Sequence, residues 1–203
     1  MKALSAIVLS LTAAAAANAS IVSTTGQVVQ VGNPPVANFP NIVSPIAWAW
    51  DEQQGVNVAT GVFADITTNP GNSTTPSPGL VFGTYNSHFI HWSALPPGSI
   101  SGTVTFDGPI AAVIYGDTFL DLSDATFGAL GTAYPTGLFA RGLNTFGGNV
   151  SVLANTISFN FGSSTAGNVE LEQVRVLTRQ VPAPGAAALL GLGGLVMARR
   201  RRA

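Results

Sequence analysis

The sequence has no cysteine, one lysine and very little charge of either sign. Of its 203 residues only 8% are charged, whereas about a quarter of an ordinary soluble domain is charged. The lack of cysteine excludes disulfides and thiol chemistry. The scarcity of charge excludes a coiled coil, a nucleic-acid binder and a charge-rich disordered tail. What the chain has instead is 46% hydrophobic residues, 23 glycines and 13 prolines.

The few positive charges are concentrated at the two ends of the chain. Lys2 lies near the N-terminus, and an arginine block, Arg199, Arg200, Arg201 and Arg202, lies at the C-terminus. Between these ends three arginines accompany nine acidic residues, so the middle of the chain carries a net charge of about −6. A domain with this charge repels nucleic acid. The three arginines are Arg141, Arg175 and Arg179.

Residues 1–19 have the order of a signal peptide. Lys2 provides a basic start, an alanine-rich apolar stretch follows, and Ala17 and Ala19 place small residues at the positions that signal peptidase requires. We expect cleavage between Ala19 and Ser20, and therefore export of everything that follows.

The C-terminal residues indicate a short membrane segment with a stop-transfer signal. Residues 185–198 contain no charge and precede the arginine block. This stretch is shorter than the roughly 20 residues of a perpendicular transmembrane helix. The arginines would stay on the cytoplasmic side and reach the interface, which extends the usable length. We therefore expect a marginal transmembrane helix over residues 185–198.

The last 25 residues resemble the PEP-CTERM sorting signal of Gram-negative bacteria that produce exopolysaccharide. The resemblance rests on the order of three parts, a Pro-containing motif, a short apolar helix and an arginine cluster. It implies processing by exosortase, a membrane protease-transpeptidase, and release or attachment at the cell surface. Alanine stands between the two prolines where the family usually has glutamate. The motif residues are Val181, Pro182, Ala183, Pro184 and Gly185.

Residues 20–180 are predicted to form one all-β domain. Short apolar runs alternate with polar residues and are separated by Gly, Pro, Asn and Ser. We expect a single β-sandwich, jelly-roll-like, with no amphipathic helix and a hairpin turn at Ala154-Asn155. A change of apolar parity near Glu172-Gln173 predicts a β-bulge in the last strand. The strands are expected near residues 21–31, 46–50, 56–64, 79–92, 99–106, 110–115, 150–152, 157–161 and 168–178.

Two histidines, His88 and His91, are three residues apart in a predicted strand. Residues at this spacing point to opposite faces of a regular strand, so the pair cannot chelate one metal ion without a β-bulge. The adjacent Phe89 and Trp92 favour a structural role for both.

Asp117, Asp121 and Asp124 cluster in a segment that has the composition of a loop. Carboxylates at the edge of a β-sandwich can hold Ca²⁺. A structural calcium site is therefore one interpretation, and solvated aspartates are the other and favoured one. No other cofactor is expected.

Trp48 and Trp50 lie two apart, on one face of a predicted strand. Exposed, they would form a platform on which a sugar ring stacks, and buried, they would belong to the core. The small alanines on the opposite face favour the core.

These features predict a secreted surface or matrix protein that acts by display and adhesion, without catalysis. Signal peptidase and exosortase would process it, and the inner membrane would hold it until then. One alternative is a carbohydrate-binding module for exopolysaccharide, with or without calcium. Another is a polysaccharide hydrolase, which needs two carboxylates about 5 to 10 Å apart across a cleft.

Overall fold

The structure, a computed structural model, describes residues 20–38, 40–67, 78–93, 98–137, 141–143, 148–163 and 171–179. All of them belong to one compact unit, Asn18–Gln180. The predicted signal peptide, sorting motif, C-terminal helix and arginine block lie outside the described residues. No described helix is both long enough and apolar enough to cross a membrane.

The described residues form ten strands and one helix. The predicted all-β class is confirmed, and each predicted strand region contains an observed strand. The elements are β1 (Ile21–Gly26), β2 (Val28–Gln30), β3 (Ala47–Asp51), β4 (Val56–Ala64), β5 (Gly79–Trp92), β6 (Gly98–Phe106), β7 (Ile110–Ile114), α1 (Asp117–Phe127), β8 (Asn149–Leu153), β9 (Thr156–Ser163) and β10 (Glu172–Arg179).

The strands form two sheets with a hydrophobic core between them. The four-stranded sheet has the order β1-β6-β9-β8, and the six-stranded sheet has the order β2-β3-β5-β10-β7, with β4 paired to β5. Side chains of both sheets, such as Phe159 and Val176, share one buried cluster, which gives a β-sandwich-like fold. The parallel pairing of β2 with β3 differs from the antiparallel strands of a jelly roll.

The alternation that predicted the strands is clearest in the four-stranded sheet. Ile157, Phe159 and Phe161 of β9 are all buried in the core between the sheets. The tight turn between β8 and β9 falls at Ala154-Asn155, as predicted, because Leu153 pairs with Thr156. Ala154 takes a positive φ of 55° there, a conformation that two-residue hairpin turns require.

The six-stranded sheet is covered on both faces. A second hydrophobic cluster, which includes Trp50, Phe89, Leu177 and Leu120 of α1, lies on the face opposite the inter-sheet core. As a result, almost every residue of β10 is buried. This explains why the predicted bulge at Glu172-Gln173 is wrong. The pairing of β10 with β5 runs without a break from Glu172 to Arg179, and the apolar parity changes because both faces are inside the molecule.

The helix α1 corrects the expectation that the domain has no amphipathic helix. Its buried positions are Leu120, Ser123 and Phe127, at the spacing of one helical face. One of these is polar, and Leu122 on the outer side is 68% exposed. The hydrophobic pattern is therefore weak, because this helix packs partly on charged side chains of the sheet.

Candidate functional site: a buried arginine cluster

Arg175 lies in the middle of β10, between β5 and β7, and its side chain is completely buried. It is on the same face as Gln173 and Leu177, the face that α1 covers, while Val174 and Val176 point into the inter-sheet core. The sheet therefore carries a cation at the centre of its outer face. Such a charge is costly to bury unless it is paired.

Glu52, directly after β3, provides the pairing carboxylate. Nε and Nη2 of Arg175 donate to Oε2 and Oε1 of Glu52 at 2.7 and 2.8 Å. This two-point geometry is the strongest that a guanidinium and a carboxylate can form. Both side chains have no solvent exposure, so the pair is a fully buried salt bridge.

The helix supplies further acceptors for Arg175. Nη1 donates to Oγ of Ser123 at 2.5 Å, and Nη2 donates to Oδ1 of Asp124 at 3.0 Å. The guanidinium also lies 5.0 Å from the centre of the Phe89 ring and 5.3 Å from that of Tyr134. Burial alone would lower the pKa of Arg175, but the charges of Glu52 and Asp124 outweigh it and raise the pKa above its ordinary value.

Arg141 is a second buried arginine on the same face. Its Nε donates to Oε1 of Gln173 at 2.6 Å, and Nη1 donates to Oδ1 of Asp121 at 2.7 Å. Nη1 and Nη2 also bind the two carboxylate oxygens of Asp124, at 2.6 and 2.9 Å. Asp124 thus bridges both arginines. Its side chain is only 11% exposed, and that of Asp121 is 21% exposed.

The backbone after Arg141 explains how this side chain reaches the interior. Gly142 has φ of +94°, and a Cβ at that position would lie 2.1 Å from the Tyr115 carbonyl oxygen. Only glycine fits such an approach. Gly142 also donates its N–H to the Leu171 carbonyl at 2.9 Å. The segment is therefore fixed against the end of β7 and the start of β10, with Arg141 turned inward.

Tyr134 completes the set, which we call the arginine cluster: Arg141, Arg175, Glu52, Asp121, Asp124 and Tyr134. The Tyr134 hydroxyl donates to Oε1 of Glu52 and accepts the N–H of Ala129 at 2.9 Å. Burial raises the pKa of Tyr134, and the negative charge of Glu52 raises it further. Tyr134 is consequently a neutral hydrogen-bond donor at physiological pH.

His91 contacts the cluster through Gln173. Nε2 of Gln173 lies 2.8 Å from Nδ1 of His91 and donates to the Ala37 carbonyl at 3.1 Å. Because the amide nitrogen is a donor, Nδ1 is the acceptor and the imidazole is neutral. Burial lowers the pKa of His91 to about 4, with a smaller contribution in the same direction from the charge of Arg141.

A separate hydrogen-bonded chain lies on the inner face of the six-stranded sheet. Nδ1 of His88 is 2.6 Å from Oδ1 of Asp51, and Nε2 is 2.9 Å from Oγ1 of Thr178. This order of groups is that of a nucleophile, a base and an orienting acid. His88 and Thr178 have no solvent exposure, however, and the Phe106 ring lies 4.5 Å from the imidazole. These buried hydrogen bonds therefore have a structural role, which is to link β3, β5 and β10.

The two histidines are on opposite faces, as the strand alternation predicts. His88 packs on Phe106 of the inter-sheet core, and His91 lies 6.4 Å from the ring of Trp50 on the other face. They have no common ligand position. Within the described residues no group of three His, Cys, Asp or Glu side chains could hold a metal ion.

The predicted calcium residues are used differently from what the sequence suggested. Asp117, Asp121 and Asp124 belong to α1 instead of a loop. The carboxylates of Asp121 and Asp124 bind Arg141. Burial and the nearby charge of Asp121 raise the pKa of Asp117. Asp121 and Asp124 thus bind a guanidinium at the place where the calcium interpretation puts a metal ion.

Trp50 lies in the core, which is the favoured of the two interpretations, and the alternative sugar platform of Trp48 and Trp50 is wrong for Trp50. Trp50 has no solvent exposure, and its ring lies 5.0 Å from that of Phe89. Trp48 is partly buried against the same cluster. Because a platform needs two exposed faces, the core interpretation fits Trp50.

The sequence predicts only part of the arginine cluster. Asp121 and Asp124 are candidate site residues, and Arg141 and Arg175 stand out by their charge. Glu52 and Tyr134, and the neighbouring Gln173, belong to no motif. One feature of the sequence does point to the cluster. Acidic residues outnumber arginines three to one between the ends, so an arginine there is expected to pair with more than one carboxylate. Comparisons with protein-family models, curated proteins and solved structures found no match for this chain.

Proposed function

We propose that the protein is an exported surface or matrix protein, sorted by its PEP-CTERM-like C-terminus and processed by signal peptidase and exosortase. The domain between the two processed ends acts by display and adhesion. In this proposal the inner membrane holds the precursor through residues 185–198. Processing near Val181–Gly185 then releases the domain or attaches it at the cell surface, among exopolysaccharide.

The observation that carries the proposal is the fit between the fold and the predicted processing sites. The first strand begins at Ile21, two residues after the expected cleavage position, and β10 ends at Arg179, two residues before Val181. Removal of residues 1–19 and of the sorting segment therefore costs no described strand. This is the arrangement that a protein trimmed at both ends needs.

The chemistry of the arginine cluster supports display in preference to hydrolysis. A hydrolase of the kind considered above needs one carboxyl group that exchanges protons and a second that attacks or activates water. Glu52, Asp121 and Asp124 are instead bound by Arg141 and Arg175 at 2.6 to 3.0 Å. These ion pairs stabilise the packing of α1, and of the segment after it, on the sheet.

Mass spectrometry of the protein from cells with and without exosortase tests the proposal. With the enzyme, we expect a chain that begins at Ser20 and lacks Arg199–Arg202. A variant with Pro182→Ala and Pro184→Ala should keep the arginines. The matched control is Pro78→Ala, which changes an exposed proline before β5 and should be processed normally. Four C-terminal arginines on the wild-type protein in both strains would contradict the sorting proposal.

A further inference from the structure

The first residue of the expected mature domain lies against a carboxylate. The backbone nitrogen of Ser20 donates to Oδ1 of Asp107 at 2.7 Å. In return, the N–H of Asp107 donates to the Ser20 carbonyl at 3.1 Å. Asp107 follows β6 directly and is exposed, so its carboxylate is free to meet a charged group. The next nitrogen, that of Ile21, donates to Oδ1 of Asp51 at 3.1 Å.

The Ser20 nitrogen is an amide in the precursor and an amine after cleavage. Hydrolysis of the Ala19–Ser20 bond adds a hydroxyl to the Ala19 carbonyl carbon and a hydrogen to the Ser20 nitrogen. The amine then takes up the proton that the new Ala19 carboxyl group releases. An α-amino group has an ordinary pKa of about 7.7–8.0, so it is mostly an ammonium at neutral pH.

We propose that signal-peptide removal creates an ion pair between the Ser20 α-ammonium and the Asp107 carboxylate, which fastens the start of β1 to the end of β6. This inference rests on the proposed function, because it requires cleavage after Ala19. Before cleavage only the acceptor of this hydrogen bond is charged. After cleavage both the donor and the acceptor are charged, which adds a Coulombic attraction to the bond. Processing thus completes the fold at the point where the leader is removed.

The proposed ion pair lies at the end of β1, a strand that is weakly held. In the described part of the four-stranded sheet β1 is an edge strand that pairs with β6 alone, and its register shifts between Ile21 and Ser23. The end of an edge strand with an irregular ladder is the first part of a sheet to separate. Carboxylates from Asp107 and Asp51 hold the first two nitrogens of the mature chain, on the N-terminal side of this irregularity.

The lysine content makes the pair directly measurable. Lys2 is the only lysine of the sequence, so the mature domain has one primary amine, that of Ser20. Amine-reactive reagents attack only the unprotonated form. An ammonium held by Asp107 should therefore react more slowly than a free one, and no other residue contributes to the signal.

The experiment compares wild type with Asp107→Asn, each produced as the full chain, exported and processed, with the N-terminus determined by mass spectrometry. At pH 7.5 we expect the variant to be acetylated up to about fourfold faster, which is the rate ratio that the upper end of the energies measured for exposed ion pairs gives for an amine whose pKa lies near this pH. In concentrated urea the two rates should be equal, because the pair exists only in the folded protein. A control variant, Asp117→Asn, makes the same change in α1, outside the arginine cluster, and should react at the wild-type rate.

The outcomes separate this inference from the sorting proposal. Chains that begin at Ser20 but react equally fast with and without Asp107 would overturn the ion pair and leave export intact. A mature N-terminus at another residue would overturn both the pair and the predicted cleavage site. A faster Asp107→Asn in urea as well as in buffer would show an effect unrelated to folding and would also overturn the pair.

Discussion

Replacement of Arg175 by methionine isolates the contribution of the buried pair in the arginine cluster. Methionine keeps much of the length of the side chain but removes its charge. Among the described residues the carboxylate of Glu52, which has no solvent exposure, would then retain the hydroxyls of Ser87 and Tyr134 as partners. Removing one partner of a buried ion pair typically costs about 3–5 kcal/mol, because the other charge stays buried without compensation. For a domain of this size that loss lowers Tm by roughly 6–20 °C.

Urea and thermal unfolding of the processed protein measure the effect. The matched control is Arg179→Met, which makes the same change at the exposed last residue of the same strand. This control should change the free energy of unfolding by less than about 0.5 kcal/mol. The comparison therefore separates the loss of a buried pair from the loss of one positive charge in an acidic domain.

A double variant decides whether the isolated carboxylate is the cause. Glu52→Gln removes the negative charge but keeps a group that can bond to Tyr134 and Ser87. Added to Arg175→Met, it should recover more than half of the lost stability. Equal losses at Arg175 and Arg179, or no recovery in the double variant, would refute the energetic account of the cluster.

Two further predictions concern His91 and Trp50, which pack near the cluster. The pKa of His91 is about 4 in the folded protein against 6.5 in the unfolded chain, so the unfolded chain takes up a proton first as the pH falls. Stability from the neutral imidazole is complete above pH 6.5 and declines down to pH 4, by about 3 kcal/mol. Urea titrations at both ends of this range should show that decline in the wild type, and His91→Gln should lack it. Trp50→Ala should cost about 3–5 kcal/mol and Trp48→Ala clearly less, since only Trp50 is fully buried, and equal losses would contradict this assignment.

The strands could be predicted because one physical signal dominates them. In β9 the alternating residues Ile157, Phe159 and Phe161 are apolar and buried, and the Ala154-Asn155 turn lies where the alternation is interrupted. The same signal fails in β10, where both faces are inside the molecule and the alternation no longer marks a single side. The signal fails again in α1, because Ser123 and Asp124 bind Arg175 of the sheet. These polar residues interrupt the row of apolar residues by which the helix could be recognised.

The arginine cluster could not be predicted, because its members are far apart in the sequence. Glu52 and Arg175 are separated by 123 positions, and no local pattern marks either one as a partner. Their contact follows from the sheet order, which places β3 and β10 on opposite sides of β5. The small number of arginines indicates that each one pairs with several acidic residues. Which acidic residues these are depends on the topology of the sheet.

The location of β10 has a consequence for a protein attached by its C-terminal end. A pull on that end acts along the axis of β10, which is hydrogen-bonded to β5 on one side and β7 on the other. To slide this strand out, the hydrogen bonds to β5 and to β7 must break together. The buried salt bridges of Arg175 with Glu52 and Asp124 must break at the same time. The domain should therefore bear mechanical load through a strand that is paired on both sides, and a tether at the edge strand β1 would separate the sheet one bond at a time.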